Sequence, residues 1–297
     1  MHLIPDNLST KYKLRKNVEL SKTNWFRVGG CAEYLFKPEN TANLAEFMQE
    51  IPSDIPITVL GVGSNIIVRE NGIDGVVVKL GKGFTELSAI GCQLFAGAGC
   101  LDLNLALFSA ENNITGLEFL SGIPGTIGGA VRMNAGAYGA DISQILISAQ
   151  IVERNGMIRS LNNEELQFSY RHSNLNDDAI VVSAIFKGSA GNKTNILAKI
   201  DEIKKARAET QPIRERTGGS TFRNPDGYKA WELIDKAGCR GLMVGDAQIS
   251  EKHCNFLINT GNATANDLET LGNEVIKRVF AQTGITLEWE IKRIGNI

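Results

Sequence analysis

Four groups of residues in this 297-residue chain are of a kind that does chemistry. The first is SYRHS at 169–173, where Arg171 can clamp a carboxylate or phosphate through two parallel N–H bonds and Tyr170 can line a pocket. The second is GGSTFRNP at 218–225, which sets the hydroxyl and amide donors of Ser220 and Asn224 beside two glycines that permit close approach. The third is Glu290, on the polar side of an alternating tail. Each has an ordinary alternative: a solvated surface arginine, a turn rich in Gly, Ser, Asn and Pro, and an exposed strand carboxylate. No Ser-His-Asp order or G-x-S-x-G elbow surrounds Ser220, which argues against a hydrolase nucleophile.

The fourth group is glycine. The stretch GLEFLSGIPGTIGGAVRMNAGAYG at 116–139 places seven glycines in twenty-four residues, interleaved with Leu117, Phe119, Leu120, Ile123, Ile127 and Val131. That spacing leaves little room for a continuous helix, and the apolar content rules out a flexible linker. It predicts an ordered loop wrapped around a large phosphorylated cofactor, because exposed runs of backbone N–H form anion sites. A turn region between short buried strands is the plainer alternative. Upstream, ITVLGVGSNIIV at 57–68 reads as a strand that breaks at Gly61-Val62-Gly63-Ser64-Asn65 and resumes extended character at Ile66. Gly-x-Gly followed by Ser and Asn offers donors suited to a pyrophosphate. It is not the dinucleotide fingerprint, because Ile66 replaces the third glycine and no helix pattern follows.

Short strands are expected to position these groups up to about residue 190, at 72–80, 93–96, 145–153 and 179–186, with one helix at 101–111 and a helix-like stretch (NNEELQF) before Ser169. GSAGNK at 188–193 is a small polar linker, and a domain boundary is expected there. Beyond it, helices are expected at 195–209, 228–237 and 265–282. The first carries Ile196, Leu197, Ile200 and Ile203 on one face. Gly238 stops the second; Thr264 with Asp267 opens the third as a capping box and Gly284 closes it. Residues 285–291 alternate as a strand.

Net charge of −2 leaves no electrostatic footprint for nucleic acid or an anionic membrane. No apolar run approaches the roughly 20 residues that span a bilayer, and the first residues lack the apolar core of a signal peptide. Five cysteines without metal-ligand spacing, and three scattered histidines, imply reduced thiols in a cytoplasmic protein and no metal.

In this order the segments resemble one family. NWFRVGG (24–30), GVGSN (61–65), SGIPGTIGGAVRMNAGAYG (121–139), SYRHS, GSTFRNP, the run from 237 to 268 and LEWEIKRIG (287–295) are similar to those of the flavoprotein UDP-N-acetylenolpyruvoylglucosamine reductases. The resemblance implies an α+β protein: a two-subdomain FAD-binding unit of the vanillyl-alcohol-oxidase (PCMH) type, plus a smaller α+β substrate-binding domain. The expected spans are 1–80 and 81–190 for the FAD unit, with 291–297 returning to it, and 191–290 for the substrate domain. It implies noncovalent FAD, NADPH as reductant, a sugar-nucleotide substrate and a monomer. The family reaction reduces the enolpyruvyl ether of UDP-N-acetylglucosamine to the lactyl ether, UDP-N-acetylmuramate.

By position, Arg171 and Glu290 match the pair that polarises the substrate carboxylate, Ser220 the proton donor, and Tyr170 and Asn224 substrate contacts. The cofactor falls to Arg27, Gly61, Gly63, Ser64, Asn65, Gly122, Pro124, Gly125, Thr126, Gly128, Gly129, Asn134, Ala135, Gly136 and Gly139. Of these, Gly125, Gly128 and Gly129 are expected within van der Waals reach of FAD, with no room for a Cβ. Nothing between 190 and 210 is long enough for the inserted loop of one family branch, so the chain resembles the shorter type. Arg207, Arg214 and Arg216 are candidates for the substrate diphosphate. A flavin oxidase of the same fold would lack the Ser220 and Glu290 pair, and a non-catalytic sugar-nucleotide binder would not take up FAD.

Overall fold

Runs of β-branched and aromatic residues form the strands where the sequence places them. A computed structural model describes residues 4–297, and the chain divides into two compact units. The first comprises residues 1–15, 34–61 and 75–206, of which 1–3 lie outside the described part; the second comprises 16–33, 62–74 and 207–297.

The first unit is built on an antiparallel sheet in the order Ile158–Asn162, Leu146–Val152, Ile180–Lys187, Gln93–Gly97, Leu87–Ile90. Its register pairs Ile151 with Val181, Ala184 with Ala96 and Phe186 with Leu94. These apolar residues are all buried, and helix Asp102–Glu111 adds Leu105, Ala106 and Ala110 to the same core. Helix Lys193–Thr210 turns Ile196 and Ile200 into it as well. That burial explains why the division falls after Ala206 and not at the polar linker near 190: two isoleucines removed from water, at about 1.5–3 kcal/mol each, outweigh the linker's turn chemistry. A second cluster forms around Tyr12, Phe36 and Phe47, whose rings meet at 4.2–5.7 Å between centroids. There helix Thr41–Glu50, capped by the Asn40 side chain accepting from the Asn43 amide at 2.9 Å, packs near the parallel strands Ile57–Leu60 and Ile73–Lys79.

Helix Ala265–Thr283 dominates the second unit. Leu268, Leu271, Val275 and Val279 share one face and are each fully buried. Thr264 and Asp267 form the reciprocal capping box, and Gly284 ends the helix at φ 73°. The helix lies over short strands in the order Arg216–Thr217, Leu257–Asn259, Ala247–Ile249, Met243–Val244. The expected strand over 285–291 is not a ladder. Leu287 and Ile291 are buried, but Phe222 and Trp289 form a lone antiparallel bridge, and regular pairing begins only at Lys292–Ile294, parallel to Ile66–Val68. Among the described residues no helix is long and apolar enough to cross a membrane.

Candidate active site

In the second unit the GSTFRNP segment is clamped from both sides. The Thr221 amide donates to the Asn255 carbonyl at 2.8 Å, and the Thr221 hydroxyl accepts from the Leu257 amide at 3.1 Å. Buried Asn255 spends both ends of its amide on Phe222, accepting from the Phe222 N–H at 2.9 Å and donating to the Phe222 carbonyl at 2.8 Å. On the other side, the Thr221 carbonyl accepts from the Glu290 amide at 2.8 Å, and the Arg223 amide donates to the Glu288 carbonyl at 2.9 Å. Ser220 and Glu290 are thus neighbours across one short antiparallel pairing, although seventy residues separate them. Both are half-buried.

The GVGSN loop joins the same cluster. The Asn65 side chain donates to the Glu290 carbonyl at 3.4 Å, and the Lys292 amide donates to the Asn65 carbonyl at 3.1 Å. A Cβ on Gly219 would come within 3.9 Å of the Ser64 carbonyl oxygen. Gly63, at φ 69°, has no room for a Cβ because Asn24 would lie 2.7 Å from it. Among the described residues the amides of Val62, Gly63 and Ser64 donate to no protein acceptor. Three successive unspent N–H groups, one of them on a buried glycine, suit the phosphate oxygens of a dinucleotide. The donor set fits FAD at this loop.

The glycine-rich stretch of the first unit is less open than its composition suggests. Residues Ile127–Arg132 form a helix of 6 residues inside it, where the glycines were expected to leave little room for a continuous one. Its first two N–H groups are already used: Ile127 donates to the Cys100 carbonyl at 3.0 Å and Gly128 to the Ala98 carbonyl at 2.9 Å. The direction a Gly125 Cβ would take is filled by the Asp102 carboxyl at 2.6 Å, and that of Gly128 by Ala98 at 3.1 Å. These two glycines are therefore demanded by packing against the protein. Gly129 differs, since its nearest atom would be the Thr126 hydroxyl at 3.9 Å, and Gly139, at φ 84°, faces nothing within 4 Å. A Cβ on Gly61 would meet the same Thr126 hydroxyl at 2.7 Å. A Cβ on Gly122 would run into the Tyr138 ring at 2.5 Å.

Asn134 and Arg171 tie the end of that stretch to SYRHS. The Asn134 side chain accepts from the Ser143 amide at 2.9 Å and donates to the Ser169 carbonyl at 3.0 Å, so it braces two loops. Arg171 donates to the Gly136 carbonyl at 2.8 Å and lies 5.0 Å over the Tyr170 ring, which is 51% exposed. Four of the eight non-glycine residues at positive φ among the described residues lie here: Asn134, Tyr138, Gln167 and Arg171. Backbone held in this region costs energy and persists where surroundings fix it, as they commonly do at working sites. The run NNEELQF before SYRHS is turn, with Gln167 at φ 41°, and not helix.

Other expected site residues have structural partners. The Arg27 guanidinium donates to the Lys22 carbonyl at 2.9 Å. The Asn224 side chain accepts from the Ala230 amide at 2.9 Å and so starts helix Ala230–Lys236. Arg216 donates to the Gly261 carbonyl at 2.7 Å, and Arg207 to the Gln211 side chain at 3.0 Å. Pro124 and Ala135 lie within the same stretch, Ala135 buried. Sequence reasoning missed Asn255 and Thr221. The only signal for Asn255 was its place in the run after Ala237, and a buried Asn between Cys254 and Phe256 is the trace it leaves.

Comparison with known proteins bears on both units. Residues 211–294 match the family model described as UDP-N-acetylenolpyruvoylglucosamine reductase, C-terminal domain, and residues 32–162 match an FAD binding domain. A UDP-N-acetylenolpyruvoylglucosamine reductase of Gluconobacter oxydans is 53% identical over 284 residues, covering 96% of this chain and 93% of the relative. One from Rickettsia bellii is 52% identical over 288 residues, covering 97% and 95%. The crystal structure of the reductase of that name from Thermus caldophilus aligns with a TM-score of 0.83 at 35% identity, over 95% of this chain and all of the other.

Proposed function

The chain belongs to the UDP-N-acetylenolpyruvoylglucosamine reductase family, and on that footing we propose how its residues divide the work. It is an FAD-dependent oxidoreductase that reduces the enolpyruvyl ether of UDP-N-acetylglucosamine to UDP-N-acetylmuramate for peptidoglycan synthesis, with NADPH as reductant. We assign it to the cytoplasm as a monomer, with residues 1–190 and 291–297 serving FAD and 191–290 serving the substrate. Bound FAD supplies the two-electron chemistry; the chain's own residues bind, orient and move the proton.

The unspent amides of Val62, Gly63 and Ser64 hold the pyrophosphate. Reduction at C3 of the enolpyruvyl group builds negative charge on C2 and its carboxylate. Arg171 and Glu290 polarise that carboxylate, so they act more strongly on the transition state than on the ground state. Ser220 gives its Oγ proton to C2. A serine hydroxyl is a weak acid, adequate here because the acceptor is strongly basic and the donor is held in line. Tyr170 and the unspent end of Asn224 contact the substrate.

The observation that carries this reading is the pairing of Ser220 with Glu290 through the Thr221 carbonyl, beside the GVGSN loop. Stopped-flow separation of the two half-reactions tests it. Flavin reduction by NADPH stays near the parent rate in Glu290→Gln and Arg171→Ala, while reoxidation by the enolpyruvyl substrate slows by about 10²-fold or more. Equal slowing of both halves would remove the assignment.

A further inference from the structure

Asp102 is the buried charge-bearing group that the mechanism leaves unused. It opens helix Asp102–Glu111, is 0% exposed, and neither carboxyl oxygen has a hydrogen-bond partner among the described residues. Buried polar atoms left wholly unpaired are uncommon and ask for a reason. The surroundings point to one. The Asp102 amide donates to the Gly125 carbonyl at 3.2 Å, Leu101 and Thr126 form an antiparallel bridge, and the Ile127 amide returns to the Cys100 carbonyl. The GIPG turn is thus stitched onto residues 100–102. One carboxyl oxygen lies 2.6 Å from where a Gly125 Cβ would stand, so it meets the turn on the side where only glycine carries a hydrogen.

We propose that Asp102 is a positioning residue that sets the GIPG turn for the flavin nucleotide, acting through Gly125. The proposal rests on the reading that residues 122–129 help to hold FAD. Complete burial without a neighbouring cation holds the carboxyl well above the ordinary aspartate range and so favours the neutral acid. Its titratable neighbour is the Cys100 thiol, pushed up to about 11 chiefly by burial, and therefore protonated throughout the working range. The closed turn keeps the acid neutral, whereas a turn that opens to water lets it ionise. The sign follows: a folded-state value raised above that of the open form favours the closed turn most at low pH. That advantage shrinks by up to about tenfold per pH unit as pH rises from the ordinary aspartate value towards the raised one.

The test uses holoenzyme carrying Asp102→Asn or Asp102→Ala, with FAD release followed by free-flavin fluorescence from pH 5 to 9 and bound-flavin circular dichroism recorded alongside. Asn keeps the shape and a neutral donor, so release stays within about threefold of the parent at pH 7 and becomes flat with pH. Ala releases FAD about tenfold faster or more and alters the bound-flavin signal. Should Ala fail to fold, the pH profile of Asn against the parent decides alone. Release from Ala as slow as from the parent, or a parent profile as flat as that of Asn, overturns the proposal. Gly129→Val separates the two readings: if it loses FAD while Asp102→Ala does not, only the role of Asp102 falls; if it keeps FAD, the assignment of the turn to the cofactor falls first.

Discussion

A methyl group placed far from any reacting atom should damage the site through one indole ring. Gly272 lies in the middle of helix Ala265–Thr283 and is buried, and a Cβ there would run into two carbons at the benzo edge of Trp289. Helix propensity favours Ala over Gly at such a position by about 1 kcal/mol. Overpacking opposes it with about 1–3 kcal/mol. The upper part of that range applies, because the ring is confined: Phe222 packs against it at 5.2 Å between centroids, and the Arg293 guanidinium sits 4.8 Å from it. The difference leaves Gly272→Ala destabilised by about 1–2 kcal/mol, a fall in melting temperature of roughly 2–3 °C for a chain of this size. Trp289 precedes Glu290, and Phe222 is two residues from Ser220, so the displaced ring moves the segments that carry both. Reoxidation by substrate should slow in Gly272→Ala while flavin reduction does not. Thermal unfolding and the two half-reactions measure these effects. Trp289→Phe removes the offending carbons, so the double variant should recover stability, with a coupling of about 1 kcal/mol. A Gly272→Ala protein that melts above the parent, or a strictly additive double variant, would refute the reasoning.

Ser220→Ala should leave stability within about 0.5 kcal/mol of the parent and cut overall turnover by about 10²–10⁴-fold, and Cys at that position should restore part of the rate; steady-state kinetics at full flavin content checks this. Gly129→Val should give protein that folds with markedly lower FAD content, seen in the visible spectrum of the purified protein, because a Cβ at that glycine would come no closer than 3.9 Å to the Thr126 hydroxyl, the nearest atom beyond its own helix. Gly128→Val, set against Ala98, should instead lose stability as well as flavin. Thr264→Ala removes the capping box of the long helix and should cost about 1 kcal/mol in urea unfolding.

Helices and strands with strong patterns were legible to within a few residues. The helix expected at 195–209 runs Lys193–Thr210, and Thr264 with Gly284 located both ends of the long one. What local pattern hid was governed by distant partners. Ile127–Arg132 is helical despite two glycines, because Gly128 must pass close to Ala98, and a larger side chain would open that contact. The alternation at 285–291 reports burial of Leu287 and Ile291 against the long helix, not a strand ladder, and periodicity cannot tell those apart. The roles proposed for Arg171, Ser220 and Glu290 rest on the order of motifs along the chain. The bracing of Asn134, the helix-starting bond of Asn224 and the clamp by Asn255 required coordinates, since an amide reads the same in sequence whether it holds a ligand or a loop.

The parallel pairing of Ile66–Val68 with Lys292–Ile294 also fixes an order of assembly during synthesis. The segments of the first unit are all available once residue 206 has left the ribosome, whereas strand Ile66–Val68 must wait more than two hundred residues for its partner. Closing so long a loop is slow, and until it closes the apolar edge of Ile66, Ile67 and Val68 is unpaired. The GVGSN amides and the Glu290 segment therefore take their places in the same late event. A nascent chain can mature its first unit early, yet it becomes an enzyme only with its final strand.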